Sequence, residues 1–338
     1  PARCPGPETQ MKEPSPILSI SDLRTFFYTR EGIAKAVNGV SFDIAPGEII
    51  GVVGESGCGK SITALSTLKL IPYPGKIAGG SILLHGENLL DMPEKAMRKI
   101  RGDRISMIFQ EPMVSLNPAY TIANQLIEAL LIHRKISKRE ARNRAVDMLR
   151  AVEIPSPEKR IDDYPHQLSG GMRQRAMIAE ALLLNPDVLL ADEPTTALDV
   201  TIQAQVLDIM CRLTQDRGTA IMLITHNMGI VEEYAQKMVV MYAGRIAEKG
   251  LTRRILEQPA HPYTQGLLKS RPGFGHDIGN EGARLTEMKG IVPSLLDLPK
   301  GCLFHPRCPI CRDICQKEAP PWVELNANHS ICCWDKVE

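Results

Sequence analysis

Gly54-Glu55-Ser56-Gly57-Cys58-Gly59-Lys60-Ser61 sets two glycines five positions apart and follows the second with Lys-Ser. This spacing lets a tightly curled backbone turn its N–H groups toward phosphate oxygens. Just upstream, Ile49-Ile50-Gly51-Val52-Val53 is a short apolar run bounded by turn residues, which reads as a buried strand. Just downstream, Ile62 to Leu68 can continue as a helix. Free N–H groups and a partial positive charge at a helix start favour an anion there. Strand, glycine loop and helix together are the context that the motif requires, and a chance glycine turn has no reason to sit in it. In this role Lys60 would reach the β- and γ-phosphates, and the Ser61 hydroxyl would ligate Mg²⁺.

The bulk numbers fit a soluble chain built around such a site. At 338 residues there is room for two domains with one large core near the front. Forty basic residues face thirty-nine acidic ones, so the whole chain carries no nucleic-acid footprint. No apolar run approaches the ~18–20 residues that cross a bilayer, and the longest, such as Met238 to Ala243, is strand-sized. If a membrane is involved, another protein spans it. Pro1 to Gln10 is rich in proline and polar residues and shows no secretory pattern, so residues 1–16 are expected to be disordered.

Pro16 to Leu23 reads as an opening strand, followed by Phe26-Phe27-Tyr28. An aromatic here either stacks on a nucleotide base or fills core on an edge strand. Val40 to Ile44 alternates as a half-buried strand does, and Ala45-Pro46-Gly47-Glu48 turns into the strand before the loop. Pro72, Pro74, Gly75, Gly79 and Gly80 predict a loop, Ser81 to Asn88 a strand and hairpin turn. Ile105 to Phe109 reads as a strand that presents Gln110 at its end.

From about 112 to 165 the pattern turns helical. Ser137 and Glu140 form a capping box. Ala141, Ala145, Met148, Leu149 and Val152 then make one apolar stripe on a basic helix. Its Lys138, Arg139, Arg142, Arg144 and Arg150 are read as a solvated face rather than an anionic partner's surface. The segment reads as a small helical subdomain inserted into an α/β core. Ser169-Gly170-Gly171 opens another helix, whose start suits an anion. Val188 to Ala191 is a buried strand with Asp192 and Glu193 at its tip. Beside a phosphate loop, the first acid belongs on Mg²⁺ and the second can orient the attacking water. Ala197-Leu198-Asp199 starts a turn, and Ile221 to Thr225 is a buried strand ending in His226.

In this order, the set resembles the ATP-binding subunit of an ABC transporter over about residues 17–260. The resemblance implies an α/β P-loop NTPase of the ABC ATPase type, with a helical insertion and a small Cys-rich extension over 261–338. Gly54, Ser56, Gly57, Cys58, Gly59, Lys60, Ser61 and Ile62 look like the Walker A phosphate loop. Phe27, or alternatively Tyr28, matches the adenine-stacking aromatic. Gln110 resembles the Q-loop glutamine. Leu168-Ser169-Gly170-Gly171-Met172 resembles the signature motif, with Met where Gln is commoner. Leu189 to Glu193 resembles Walker B with its catalytic glutamate. Asp199 sits at the D-loop position, and His226 at the switch histidine. The implied roles put Ser61, Gln110 and Asp192 on Mg²⁺, with Glu193 and His226 acting on the lytic water and the γ-phosphate. A second ATPase subunit, identical or different, would complete each site from its own Ser-Gly-Gly helix. Two permease subunits and, indirectly, a solute-binding protein would make up the transporter, with this chain on the cytoplasmic face of the membrane.

Several stretches resemble the dipeptide/oligopeptide and nickel importer branch. They include Met107 to Met113, Ser115-Leu116-Asn117-Pro118, Ala191 to Gln205 and Pro259 to Thr264. Gly301 to Pro309 resembles that branch's cysteine motif. Some of its members hold a [4Fe-4S] cluster on four tail cysteines. Carried over, the ligands would be Cys302, Cys308, Cys315 and Cys333, with Cys332 the rival of Cys333 and Cys311 an addition that makes Cys-x-x-Cys with Cys308. A four-thiolate Zn²⁺ site and unligated buried thiols are the alternatives. The expected function is ATP hydrolysis driving peptide import. A soluble ABC ATPase of DNA repair or translation, or a nickel importer subunit, is the alternative.

Overall fold

The computed structural model describes residues 15–110, 115–195, 199–215, 217–270 and 288–337. The strands are β1 (Leu18–Thr29), β2 (Gly32–Ile44), β3 (Ile49–Val53), β4 (Gly75–Leu84), β5 (Glu87–Asn88), β6 (Ile105–Ile108), β7 (Val188–Asp192), β8 (Ala220–Ile224), β9 (Lys237–Tyr242), β10 (Arg245–Leu251), β11 (Trp322–Asn326) and β12 (His329–Cys332). The helices are α1 (Lys60–Thr67), α2 (Glu94–Ile100), α3 (Ile122–His133), α4 (Lys138–Ala151), α5 (Pro157–Arg160), α6 (Gly170–Leu182), α7 (Val200–Gln215), α8 (Met228–Tyr234), α9 (Thr252–Glu257), α10 (Pro262–Lys269) and α11 (Asp313–Lys317).

An eight-stranded sheet runs β11-β12-β10-β9-β3-β8-β7-β6. Its five strands from β9 to β6 are parallel. Every residue of β3, β7 and β8 is buried, as expected of parallel strands covered on both faces. Alternation divides them between two cores. Ile49 and Val53 of β3, with Leu189, Ala191, Ile221 and Leu223, pack against the helices. Ile50 and Val52, with Val188, Leu190, Met222 and Ile224, pack under β1, β2 and β4. Those strands belong to a second, antiparallel sheet of order β2-β1-β4-β5. Strand tips that project between two such cores hold their side chains in place, which is why the sheet's upper edge can carry a site.

The glycine-rich stretch expected as a loop belongs instead to β4, which pairs with β1 through Gly79↔Arg24 and Gly75↔Phe27. Close approach explains the glycines. A Cβ on Gly80 would lie 2.6 Å from the Ser21 carbonyl oxygen, and one on Gly75 would lie 2.8 Å from the Phe27 ring.

Between β6 and β7, helices α3, α4 and α6 bury Leu126, Leu130, Ala141, Ala145, Leu149, Ala176 and Ala179 in the helix-side core. The Ser137 hydroxyl caps α4 by accepting the Glu140 N–H. The basic face of α4 is paired within the chain: Arg142 with Asp162, Arg144 with Glu140, and Arg150 with Asp147 and Glu158.

Among the described residues, those beyond 260 do not form a sheet of their own. β12 pairs antiparallel with β10, and β11 pairs with β12, so the C-terminal segment extends the edge of the main sheet. A buried hydrogen-bonded pair fixes this junction. His329 Nε2 lies 2.6 Å from Glu248 Oε1, and the same carboxylate accepts the N–H groups of Ala260 and His261. Glu111 to Val114, residues 1–14 of the expected disordered segment, and Ala197-Leu198 of the expected turn lie outside the described residues.

Candidate active site

The β3 strand delivers Gly54 directly into the loop, and α1 begins at Lys60. Gly59 caps α1 with φ 101°, and a Cβ there would sit 2.2 Å from the Ala36 carbonyl oxygen. Gly54 has φ +152°, and its Cβ would meet the Met241 carbonyl oxygen at 2.2 Å. Both positions therefore need glycine twice over, for conformation and for space. The Cys58 thiol is buried in the loop's interior, and burial raises its pKa against the pull of Lys60. The Lys60 ammonium is likewise buried and donates to the carbonyl oxygens of Gly54 at 2.8 Å and Glu55 at 3.1 Å.

The tip of β7 faces this loop. Ser61 Oγ donates to Asp192 Oδ1 at 3.0 Å. Burial pushes the Asp192 carboxyl up, while the Ser61 hydroxyl pulls it down. A carboxylate held this way, desolvated beside a hydroxyl, is suited to a cation. Glu193 follows with φ 47°, a left-handed conformation that is costly for a side chain with a Cβ. Its carboxylate is spanned from both sides. Gln110 Nε2 donates to Oε2 at 3.2 Å, and His226 Nδ1 lies 3.2 Å from Oε1. Glu193 is 16% exposed and His226 69%, so the acid is inside the cleft and the imidazole is on its rim. The tips of β6, β7 and β8 thus bring Gln110, Asp192, Glu193 and His226 to the loop bearing Lys60 and Ser61.

The remaining candidates are placed elsewhere. Phe27 lies in β1 opposite Gly75. Tyr28, 44% exposed, lies under the Lys76 ammonium at 6.0 Å. Ser169 caps α6 by accepting the Met172 N–H, and Gly170 has open space where a Cβ would be. Gly171 backs onto Ile202 of α7. Asp199 caps the start of α7 by accepting the Ile202 N–H. None of Ser169, Gly170, Gly171 or Asp199 makes a polar contact with the phosphate loop among the described contacts. The Gln174 side chain, on the helix that Ser169 starts, donates to the Pro194 carbonyl, linking α6 to the acid pair.

The cysteines divide. Cys302, Cys308, Cys315 and Cys333 line one cavity together with His305 and Arg312. Burial pushes Cys302 up to about 12 and raises Cys308 and Cys333, and the neighbouring sulfurs add to each shift. Cys332 points away, toward the Pro320 carbonyl, and Cys311 lies 3.6 Å from the Arg312 carbonyl. The expected metal site is not drawn together. Among the described residues no group of three or more His, Cys, Asp or Glu side chains converges to hold a metal ion.

Sequence reading missed the outer supports of the loop. Arg307 pairs with Glu55 from 252 residues away, and the Tyr263 hydroxyl accepts the Glu55 N–H at 2.9 Å. Motif spacing carries no signal for either contact.

Comparison with known proteins agrees with this geometry. The ABC transporter family pattern matches residues 37–196, and that of the oligopeptide/dipeptide transporter C-terminal region matches 247–315. A probable peptide ABC transporter ATP-binding protein, y4tR of Sinorhizobium fredii, is 48% identical over 95% of this chain and 96% of its own. The dipeptide transport ATP-binding protein DppD of Bacillus subtilis is 48% identical over 94% of each chain. The oligopeptide transport ATP-binding protein OppD of Salmonella typhimurium is 46% identical over 98% of each. Among solved structures, a dimeric post-hydrolysis ATP-binding cassette with ADP and Pi aligns with TM-score 0.63 at 26% identity. It covers 70% of this chain and 99% of that one.

Proposed function

The chain belongs to the ABC transporters, among the ATP-binding subunits of peptide importers, and from that premise we propose how its residues do the work. The observation that carries the reading is the Glu193 carboxylate, held between Gln110 and His226 next to the Ser61–Asp192 pair. Gly54, Ser56, Gly57, Cys58, Gly59 and Ile62 shape the loop that takes the triphosphate. Lys60 exchanges the two loop carbonyls for phosphate oxygens. Ser61, Gln110 and Asp192 would hold Mg²⁺, which neutralises charge on the phosphates. Glu193 accepts a hydrogen bond from the attacking water and orients it, and His226 steadies Glu193 from the rim. Phe27 supports the adenine.

Ser169, Gly170, Gly171 and Asp199 make no polar contact with this chain's own loop among the described contacts. They therefore serve a loop on a second ATPase subunit, as the dimeric cassettes of similar fold suggest. Among the described residues no helix is long and apolar enough to cross a membrane. Permease partners then supply the passage, and this chain works at the cytoplasmic face. Residues 17–260 act as the ATPase, the helical insertion included, and 261–338 as an extension. The repair, translation and nickel readings lose their ground, because full-length relatives at 45–49% identity are named for peptide transport.

For the tail we propose a [4Fe-4S] cluster on Cys302, Cys308, Cys315 and Cys333. The donor set fits in kind and number, with four thiols on one cavity. Each iron of such a cluster takes one thiolate, so the sulfurs stand further apart than around one zinc ion. The cluster would act as a staple for the extension.

Glu193→Gln tests the main reading. ATP binding should persist while turnover of the assembled transporter falls by about 10²–10³-fold. Unchanged turnover removes Glu193 from its role.

A further inference from the structure

Arg307 sits between Cys302 and Cys308 on the turn that carries two of the four cavity cysteines, yet its side chain reaches the phosphate loop. The side chain is 3% exposed. Nη1 donates to Glu55 Oε2 at 2.7 Å, and Nη2 donates to Oε1 at 3.0 Å, a bidentate pair. Nε donates to the Lys289 carbonyl at 3.1 Å, which uses the remaining edge of the guanidinium. Its face lies 5.8 Å from the Tyr242 ring and 6.0 Å from Phe304. Phe304, three residues earlier, is buried edge-on against Tyr242 at 5.2 Å and tilted against Tyr263 at 5.5 Å. Tyr263 in turn accepts the Glu55 N–H.

Glu55 is therefore gripped twice, through its side chain and its main chain, by residues beyond 260. Its carbonyl, with that of Gly54, also accepts the Lys60 ammonium. A buried ion pair that only fastened the tail to the body could attach anywhere on the body. This one attaches to the second residue of the nucleotide loop, with an independent hydrogen bond to the same residue.

We propose that Arg307, with Tyr263, is a positioning residue for nucleotide binding. By holding Glu55 it keeps the loop's N–H groups turned inward, and it ties ATP affinity to how the Cys302–Cys308 turn is seated. Because such coupling is reciprocal, bound nucleotide also holds the turn in place. The proposal rests on the reading of Gly54–Ser61 as the ATP loop.

The test measures ATP affinity, KM and kcat of the full chain in its assembled transporter for wild type, R307Q, R307K, E55Q and E55Q/R307Q. Loss of a charged bidentate pair should weaken ATP binding roughly tenfold and raise KM to match, with kcat at saturating ATP little changed. E55Q should behave alike, and the double variant should be no worse than either single one. R307K keeps the charge without the fork and should fall between wild type and R307Q. If R307Q melts early, R307K carries the same comparison. Wild-type affinity in a stably folded R307Q or R307K, or losses that simply multiply in the double variant, would overturn the proposal and leave the ATPase reading standing. A folded wild-type chain that does not bind ATP would overturn both.

Discussion

The middle and the edge of the eight-stranded sheet are built by different means. In the middle, β3, β7 and β8 are buried at every position and sandwiched between two apolar cores. At the edge, four of the five residues of β11 are exposed, and β12 buries only His329 and Ile331. The middle needs no special contacts, since burial on both faces stabilises it and leaves strand tips free to carry chemistry. The edge has little apolar area to bury. It relies on discrete contacts: the Glu248–His329 pair, the Tyr242–Tyr263–Phe304 aromatic group, and Arg307 on Glu55. A small, weakly cored segment depends on such contacts in the way that small domains depend on staples.

Removing one staple at the edge should have the largest effect. With wild type carrying iron and inorganic sulfide, Cys302→Ser should lose the visible thiolate-to-iron absorbance completely. Cys332→Ser should keep the absorbance. Stoichiometric zinc in a colourless wild-type protein would replace the cluster with a metal ion.

Phe304→Ala empties a buried aromatic site at the junction and should cost about 3–4 kcal/mol of tail docking. Limited proteolysis reads this directly, because residues beyond 288 should be cut well before the sheet's middle. Simultaneous loss of both regions in one transition would erase the proposed contrast.

The smallest effect belongs to the helix-side layer over the middle. Burial, helped by Glu128, raises Glu180 on α6 to about 7 from 4.5. A carboxyl with a raised folded-state pKa favours folding at low pH, and that contribution is lost as pH rises from about 4.5 through about 7. Glu180→Gln should therefore be more stable than wild type at pH 8 by about 1–2 kcal/mol, with the gap narrowing toward pH 5. Melting curves that shift equally at both pH values would show that ionisation of Glu180 is not the cause.

Much of the middle was legible in the sequence because its chemistry is local. The phosphate loop is one octapeptide between a strand and a helix, and Asp192-Glu193 and His226 each end a readable apolar run. The Pro72–Gly80 stretch misled because glycine signals both loops and close approach. Only the pairing of β4 with β1 tells the two apart. The left-handed backbone at Glu193 also left no mark, since nothing about a glutamate announces that its φ will be 47°.

By itself the sequence determined the phosphate loop, the acids and histidine at strand tips, and the ABC transporter kinship, because each rests on short-range spacing that any fold of this class must respect. Tertiary structure alone decided that the tail would extend the main sheet through β10. It also decided that Arg307 would clasp Glu55. Those outcomes depend on which surfaces meet after the cores have formed. Contacts between residues hundreds of positions apart are selected by packing, and no periodicity along the chain encodes them.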